Sequence, residues 1–165
     1  MHPLLLFLAA VQAAVAPPVH GPTAVPICAG NDQALPPELA GWTGTSERLE
    51  AGHAVVLQGT APTDAAVARP GLEATIAFSV PMNGVYGIAL DQSGWIDILP
   101  VMDQGAPRPL RPVDHGHEPA CSTIRKIVRF ELNAGTYYSL SLSGLANPTA
   151  RVMLIAPAPP APPAQ

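Results

Sequence analysis

The 165-residue sequence holds no GxSxG nucleophile elbow and no Gly-rich phosphate-binding loop, and nothing around Ser122 suggests an activated hydroxyl. The signatures of acyl and phosphoryl transfer are therefore missing. Charge is scarce too: charged residues make up 12% of the chain, with eight Lys and Arg against twelve Asp and Glu. The basic residues are scattered apart from Arg125, Lys126 and Arg129, so nucleic acid is not an expected partner. No segment sustains helical spacing for three turns, which argues against a helical bundle. Only two cysteines are present, Cys28 and Cys121.

What is present begins with MHPLLLFLAAVQAAVA, a short apolar run ending in small residues. Residues 1–16 are expected to be a secretory signal, which places the mature protein in the periplasm or outside the cell. No second apolar run follows, so no membrane span is expected after signal cleavage. PPVHGPTAVP and APAPPAPPAQ are rich in Pro and Ala without apolar periodicity. They read as a Pro-rich linker over 17–37 and a disordered tail over 157–165, leaving a single domain at 38–156. In an oxidising compartment a Cys28–Cys121 disulfide is the default expectation; the alternative is two thiols too far apart to bridge.

Within the domain, alternation at period two recurs. In LEATIAFSV, Leu72, Ala74, Ile76, Phe78 and Val80 share one face. VYGIAL aligns Tyr86, Ile88 and Leu90, and TIRKIVRFEL aligns Ile124, Val128, Phe130 and Leu132. TYYSLSLSG sets Tyr138, Leu140 and Leu142 against Tyr137, Ser139 and Ser141. HAVVLQ, WIDILPV and ARVMLIA add three more uniformly apolar strands, and PPELAGW reads as one helical turn carrying Trp42 into an end of the core. These patterns predict an all-β fold, an antiparallel β-sandwich of seven to eight strands. FSVPMNGVYGIAL and FELNAGTYYSLSL echo each other, and each reads as a β-hairpin turning at Gly84 or Gly135. Tyr86 and Tyr137 read as core or sheet-surface residues.

The echoed pattern of Phe, x, aliphatic, then Gly, x, Tyr is similar to the hairpins of bacterial pre-peptidase C-terminal domains and other jelly-roll-like exported modules. ELAGW, WIDIL and HGHEPACSTIRKIVRFEL followed by AGTYYSLSLSG resemble a group of small exported alphaproteobacterial proteins of unassigned function. That resemblance runs from Cys28 to Ile155 and implies a jelly-roll-like sandwich. Some members carry the name homogentisate 1,2-dioxygenase, an activity that would need two histidines and a carboxylate on one face of iron. Here the position of that carboxylate falls on Cys121 or Ser122, and no histidine follows His117.

The one pair of residues with ligand spacing is His115 and His117, separated by Gly116. On an extended backbone both imidazoles point the same way, as β proteins present them to Zn, Cu or Fe. Asp114 and Glu118 are candidate carboxylate ligands or acceptors for the imidazoles, and His53 is a candidate donor from elsewhere in the chain. A bare HxH lacks the further ligands of a structural site, and the flanking prolines fit an exposed loop equally well. A second candidate pair is Asp97 and Lys126, each sharing parity with apolar neighbours, which on a buried face must pair or reach the rim.

The sequence thus predicts an exported binding or accessory module whose ligand is a metal ion, a glycan or an envelope protein. The alternatives are a small non-haem iron or copper enzyme using His115 and His117, dioxygenase-like in character, and a structural envelope component.

Overall fold

The computed structural model describes residues 28–63, 69–102, 107–116 and 119–158. The expected signal segment, most of the linker and the end of the tail lie outside them. Eight strands form: β1 (Ala54–Gln58), β2 (Leu72–Ser79), β3 (Gly84–Leu90), β4 (Trp95–Pro100), β5 (Asp114–Gly116), β6 (Lys126–Leu132), β7 (Tyr137–Leu145) and β8 (Thr149–Ile155). A short 3₁₀ helix, Pro37–Thr43, precedes them. All ladders are antiparallel, in two packed sheets ordered β1-β8-β3-β6-β5 and β2-β7-β4. The expected all-β sandwich is the observed fold.

The topology is that of a rolled ribbon. β1 pairs with β8, β2 with β7 and β3 with β6, so ladders nest one inside another as in a jelly roll. The departure lies at β5, which joins β6 at the edge of the larger sheet instead of extending the smaller one beside β4. Leu110 partly replaces it there. Its N–H donates to the Ile98 carbonyl on β4 at 2.8 Å, and its side chain packs against the core.

The two echoed segments fold alike, but not as hairpins. β2 and β3 lie in different sheets, as do β6 and β7, so each turn is an arch across the core. Alternation reveals which face of a strand is apolar but not which strand lies beside it, and here the apolar faces meet across the sandwich. The two arches sit together, with Ala134 N–H donating to Asn83 Oδ1 at 2.8 Å. Each is tied by a buried tyrosine. Tyr86 Oη donates to the Met82 carbonyl at 3.1 Å, and Tyr138 Oη accepts from Asn133 N–H at 2.9 Å. The counterpart of Tyr86 is thus Tyr138; Tyr137 is on the opposite face and 68% exposed.

Between the sheets lie the expected apolar positions, among them Phe78, Ile88, Leu90, Phe130, Leu140 and Leu142. A second apolar layer lies on the outer face of the larger sheet. Leu39 and Trp42 of the 3₁₀ helix pack there on Ala54, Ala89, Ile127 and Met153. This explains the uniformly apolar runs of β3 and β8, which are covered on both faces. β4 is different, burying Ile96 and Ile98 while Trp95 points out. The helix seats closely because Gly41 meets the Gly52 carbonyl, leaving no room for a methyl group.

Candidate functional site

The ladders bring four connections to one end of the sandwich. These are the β3–β4 turn, the segment entering β6, the β7–β8 turn, and the approach to β2 at Arg69 and Pro70. Gln92 organises this end from a buried position. Its Nε2 donates to the Thr149 carbonyl, and its Oε1 accepts from the N–H groups of Ala146 and Asn147.

One side of this end is fixed by the Cys28–Cys121 disulfide, whose Cα atoms lie 5.4 Å apart. The bond ties Cys28, which precedes the domain start expected at 38, to the segment entering β6. Next to the disulfide, Asp32 N–H donates to the Cys121 carbonyl, and the Asp32 carboxylate accepts from Thr123 N–H at 2.7 Å and Thr123 Oγ1 at 2.5 Å. Thr123 Oγ1 in turn accepts from Trp42 Nε1 at 2.8 Å. Arg151 Nη1 donates to the carbonyls of Trp42 and Gly44. These contacts frame a polar cavity of about 460 Å³ lined by Asn31, Asp32, Asp91, Thr123, Arg125 and Arg151. Asp91 is half-buried there, and its Oδ1 has no hydrogen-bond partner among the described residues. Burial raises the Asp91 carboxyl above its ordinary value, outweighing backbone hydrogen bonds and the attraction of Arg151.

A second cavity of about 380 Å³ adjoins the first and shares Arg125 with it. Its walls include Trp95, Lys126, Ser93, Gly94 and Gly144. Trp95 is 56% exposed, although the chain has only two tryptophans. Arg69 places its guanidinium carbon 4.4 Å from the Trp95 ring centroid, and Lys126 Nζ lies 5.7 Å from it. Arg69 is steadied by Asp97 at 3.1 Å and by Ser143 Oγ at 3.0 Å. Lys126 Nζ donates to the Gly94 carbonyl at 2.8 Å. Gly144, at φ 68°, lies under the indole edge, where a Cβ would be 3.4 Å from Trp95 Cδ1. Arg69, Arg125, Lys126 and Arg151 together are four of the eight basic residues, gathered at one end of a chain whose net charge is −4.

Of the two settings expected for Asp97 and Lys126, pairing or reaching the rim, the geometry has the second. Asp97 pairs with Arg69 on the outer surface of β4, and Lys126 turns to Gly94 and Trp95. Both residues reach the rim because Asp97 shares its face with exposed Trp95, while Lys126 is the first residue of β6. The sequence missed Arg69, Trp95, Arg125 and Arg151 as a group. The available signal was that Trp95 shares parity with a charged residue, which marks an outward face.

The histidine loop is only partly within the described residues. His115 is exposed on β5, opposite Val128, whereas His117 and Glu118 lie outside them. Asp114 is occupied otherwise, bonding Arg129 at 3.0 Å and accepting from His115 N–H at 2.8 Å. His53 precedes β1, at the opposite edge of the larger sheet from β5. Four strand spacings separate those edges, about 19 Å, so His53 does not join His115. Among the described residues no three His, Cys, Asp or Glu side chains cluster as metal ligands would. Cys121 is committed to Cys28.

No described helix is long and apolar enough to cross a membrane. Compared with family models, with curated proteins and with solved structures, the chain matches none of them.

Proposed function

We propose that this protein is an exported binding module that takes an anionic ligand at the end of the sandwich carrying Trp95. The observation that carries the reading is an exposed indole flanked by Arg69 and Lys126, opening onto a cavity that Arg125 shares. An exposed aromatic ring leaves apolar surface in water, and beside convergent cations it offers a ligand both an apolar face and charge. The acids at this end, Asp32, Asp91 and Asp97, offset part of that charge, Asp97 by pairing with Arg69, while Arg125 and Lys126 form no ion pair among the described residues. The cavity has the size of a small-ligand site.

The reading is tested by fluorescence titration. Trp42 is fully buried, so a change in emission on adding ligand reports on Trp95. Polygalacturonate, polyglutamate and polyphosphate are compared with neutral dextran at low and moderate salt. At least one polyanion is expected to bind, more weakly as salt rises, and binding is expected to fall at least tenfold in Trp95→Ala, which lacks the reporter and is followed by titration calorimetry beside the parent, and in the double variant Arg125→Ala, Lys126→Ala. If no polyanion binds, or if both variants bind as the parent does, the reading fails.

A further inference from the structure

The outer faces of the two sheets are treated differently. The larger sheet is covered by the 3₁₀ helix and Trp42, whereas the smaller sheet presents a floor of small side chains. On its central strand β7, Tyr137, Ser139, Ser141 and Ser143 share the outward face. Their register partners are Trp95, Asp97 and Leu99 on β4, and Thr75, Ala77 and Ser79 on β2. No bulky side chain stands on β7 between Ser143, under Trp95, and Tyr137 at the far end. Six residues of strand separate those two positions, about 20 Å. The result is a hydroxyl-lined track with an exposed aromatic ring at each end, 56% exposed for Trp95 and 68% for Tyr137.

We infer that the ligand is an acidic polysaccharide lying along this track, with a carboxylate at the Arg125 and Lys126 end and its sugar rings over β7. The inference rests on the reading of Trp95 as a binding residue and adds the chemical class and length of what it binds. Sugar rings offer what the track can use: an apolar C–H face for each aromatic ring and hydroxyl groups for the serines and Thr75. The charge pattern separates this ligand from other polyanions. A nucleic acid or polyphosphate carries dense charge and needs cations along its whole path, whereas here Arg69, Arg125 and Lys126 stand at one end and, at the Tyr137 end, Arg48 is accompanied by Glu47 and Glu50. The track between has Asp97 already bonded to Arg69, and no free cation on β7. A lipid surface would require an apolar patch where this face presents hydroxyl groups.

The test uses three uronate-bearing chains of different linkage, polygalacturonate, alginate and hyaluronan, each as polymer and as a series of oligomers. Galacturonate monomer, carboxyl-reduced polygalacturonate and polyphosphate are the comparisons. At least one uronate chain is expected to bind with affinity that rises with length until an oligomer spans the track. Tyr137→Ala is expected to weaken the longest oligomers about tenfold and leave the monomer unchanged, whereas Trp95→Ala weakens both. Ser141→Leu, at an outward position, is expected to obstruct the polymer but not the monomer. Carboxyl reduction is expected to cost at least tenfold.

Polyphosphate binding as tightly as every uronate chain, monomer binding as tightly as polymer, or a neutral Tyr137→Ala would each overturn the polysaccharide while leaving the anion site at Trp95 standing. An absence of binding to any anion, or indifference of all binding to Trp95→Ala, would overturn both. Melting temperatures of the variants, all at outward-facing positions, serve as the folding control.

Discussion

Trp42 and Thr123, 81 residues apart, are joined by a 2.8 Å hydrogen bond from the indole Nε1 to the threonine Oγ1. The threonine hydroxyl in turn donates to Asp32, so its orientation is fixed from both sides. The bond couples the 3₁₀ helix on the outer face of the larger sheet to the segment entering β6.

Two substitutions separate the packing of Trp42 from its hydrogen bond. Trp42→Phe keeps most of the apolar contact and loses the N–H, and is expected to cost about 1–2 kcal/mol. Trp42→Ala also opens a cavity at a fully buried position and is expected to cost about 3–5 kcal/mol. Equilibrium urea unfolding measures both. Equal losses would mean that the indole acts through its N–H alone.

The disulfide joins positions 93 residues apart. Removing a crosslink over so long a loop frees the unfolded chain, and the Cys28→Ser, Cys121→Ser double variant is expected to lose about 2–5 kcal/mol. Urea midpoints with and without reductant check this. Reductant should lower the parent's midpoint toward that of the double variant and leave the variant unmoved.

Asp91 supplies a pH dependence of defined sign. Its carboxyl is raised above 3.8 in the folded protein because burial disfavours the charged form. The folded state therefore holds this proton more tightly than the unfolded state does. The associated stability is fully present below 3.8 and is lost as pH rises through the folded value. Asp91→Asn, which cannot ionise, is expected to melt higher than the parent at pH 7, with the difference shrinking toward about pH 3. A difference that grows on acidification would reverse the assignment. Asp91 is the group responsible only if Asp32→Asn fails to reproduce this profile.

Much of the fold was legible because alternation at period two reports burial directly. Leu72, Ala74, Ile76, Phe78 and Val80 all face inward as the pattern requires. Strand partners were less legible. The turns at Gly84 and Gly135 looked like hairpins because a short connection between two amphipathic strands fits an arch as well, and only the opposing sheet distinguishes them. For the candidate site, the disulfide followed from compartment and count, but the cationic end did not. Arg69, Arg125 and Arg151 come from three separate segments and meet only when β2, β6 and β8 are brought to one end. Single-strand parity left Asp97 open between pairing and the rim, since a lone Trp in a short apolar run looks like core until its neighbours are known.

The nested ladders also determine what a cut chain would be. A break in the connection between β4 and β5 would leave β1 to β4 in one fragment and β5 to β8 in the other. Among the described residues, the only ladder within either piece is then the three-residue pairing of β5 with β6. Every other ladder spans the break, and so does the Cys28–Cys121 bond. The two pieces are complements, neither able to complete a sheet alone, and the disulfide would keep them a single covalent molecule.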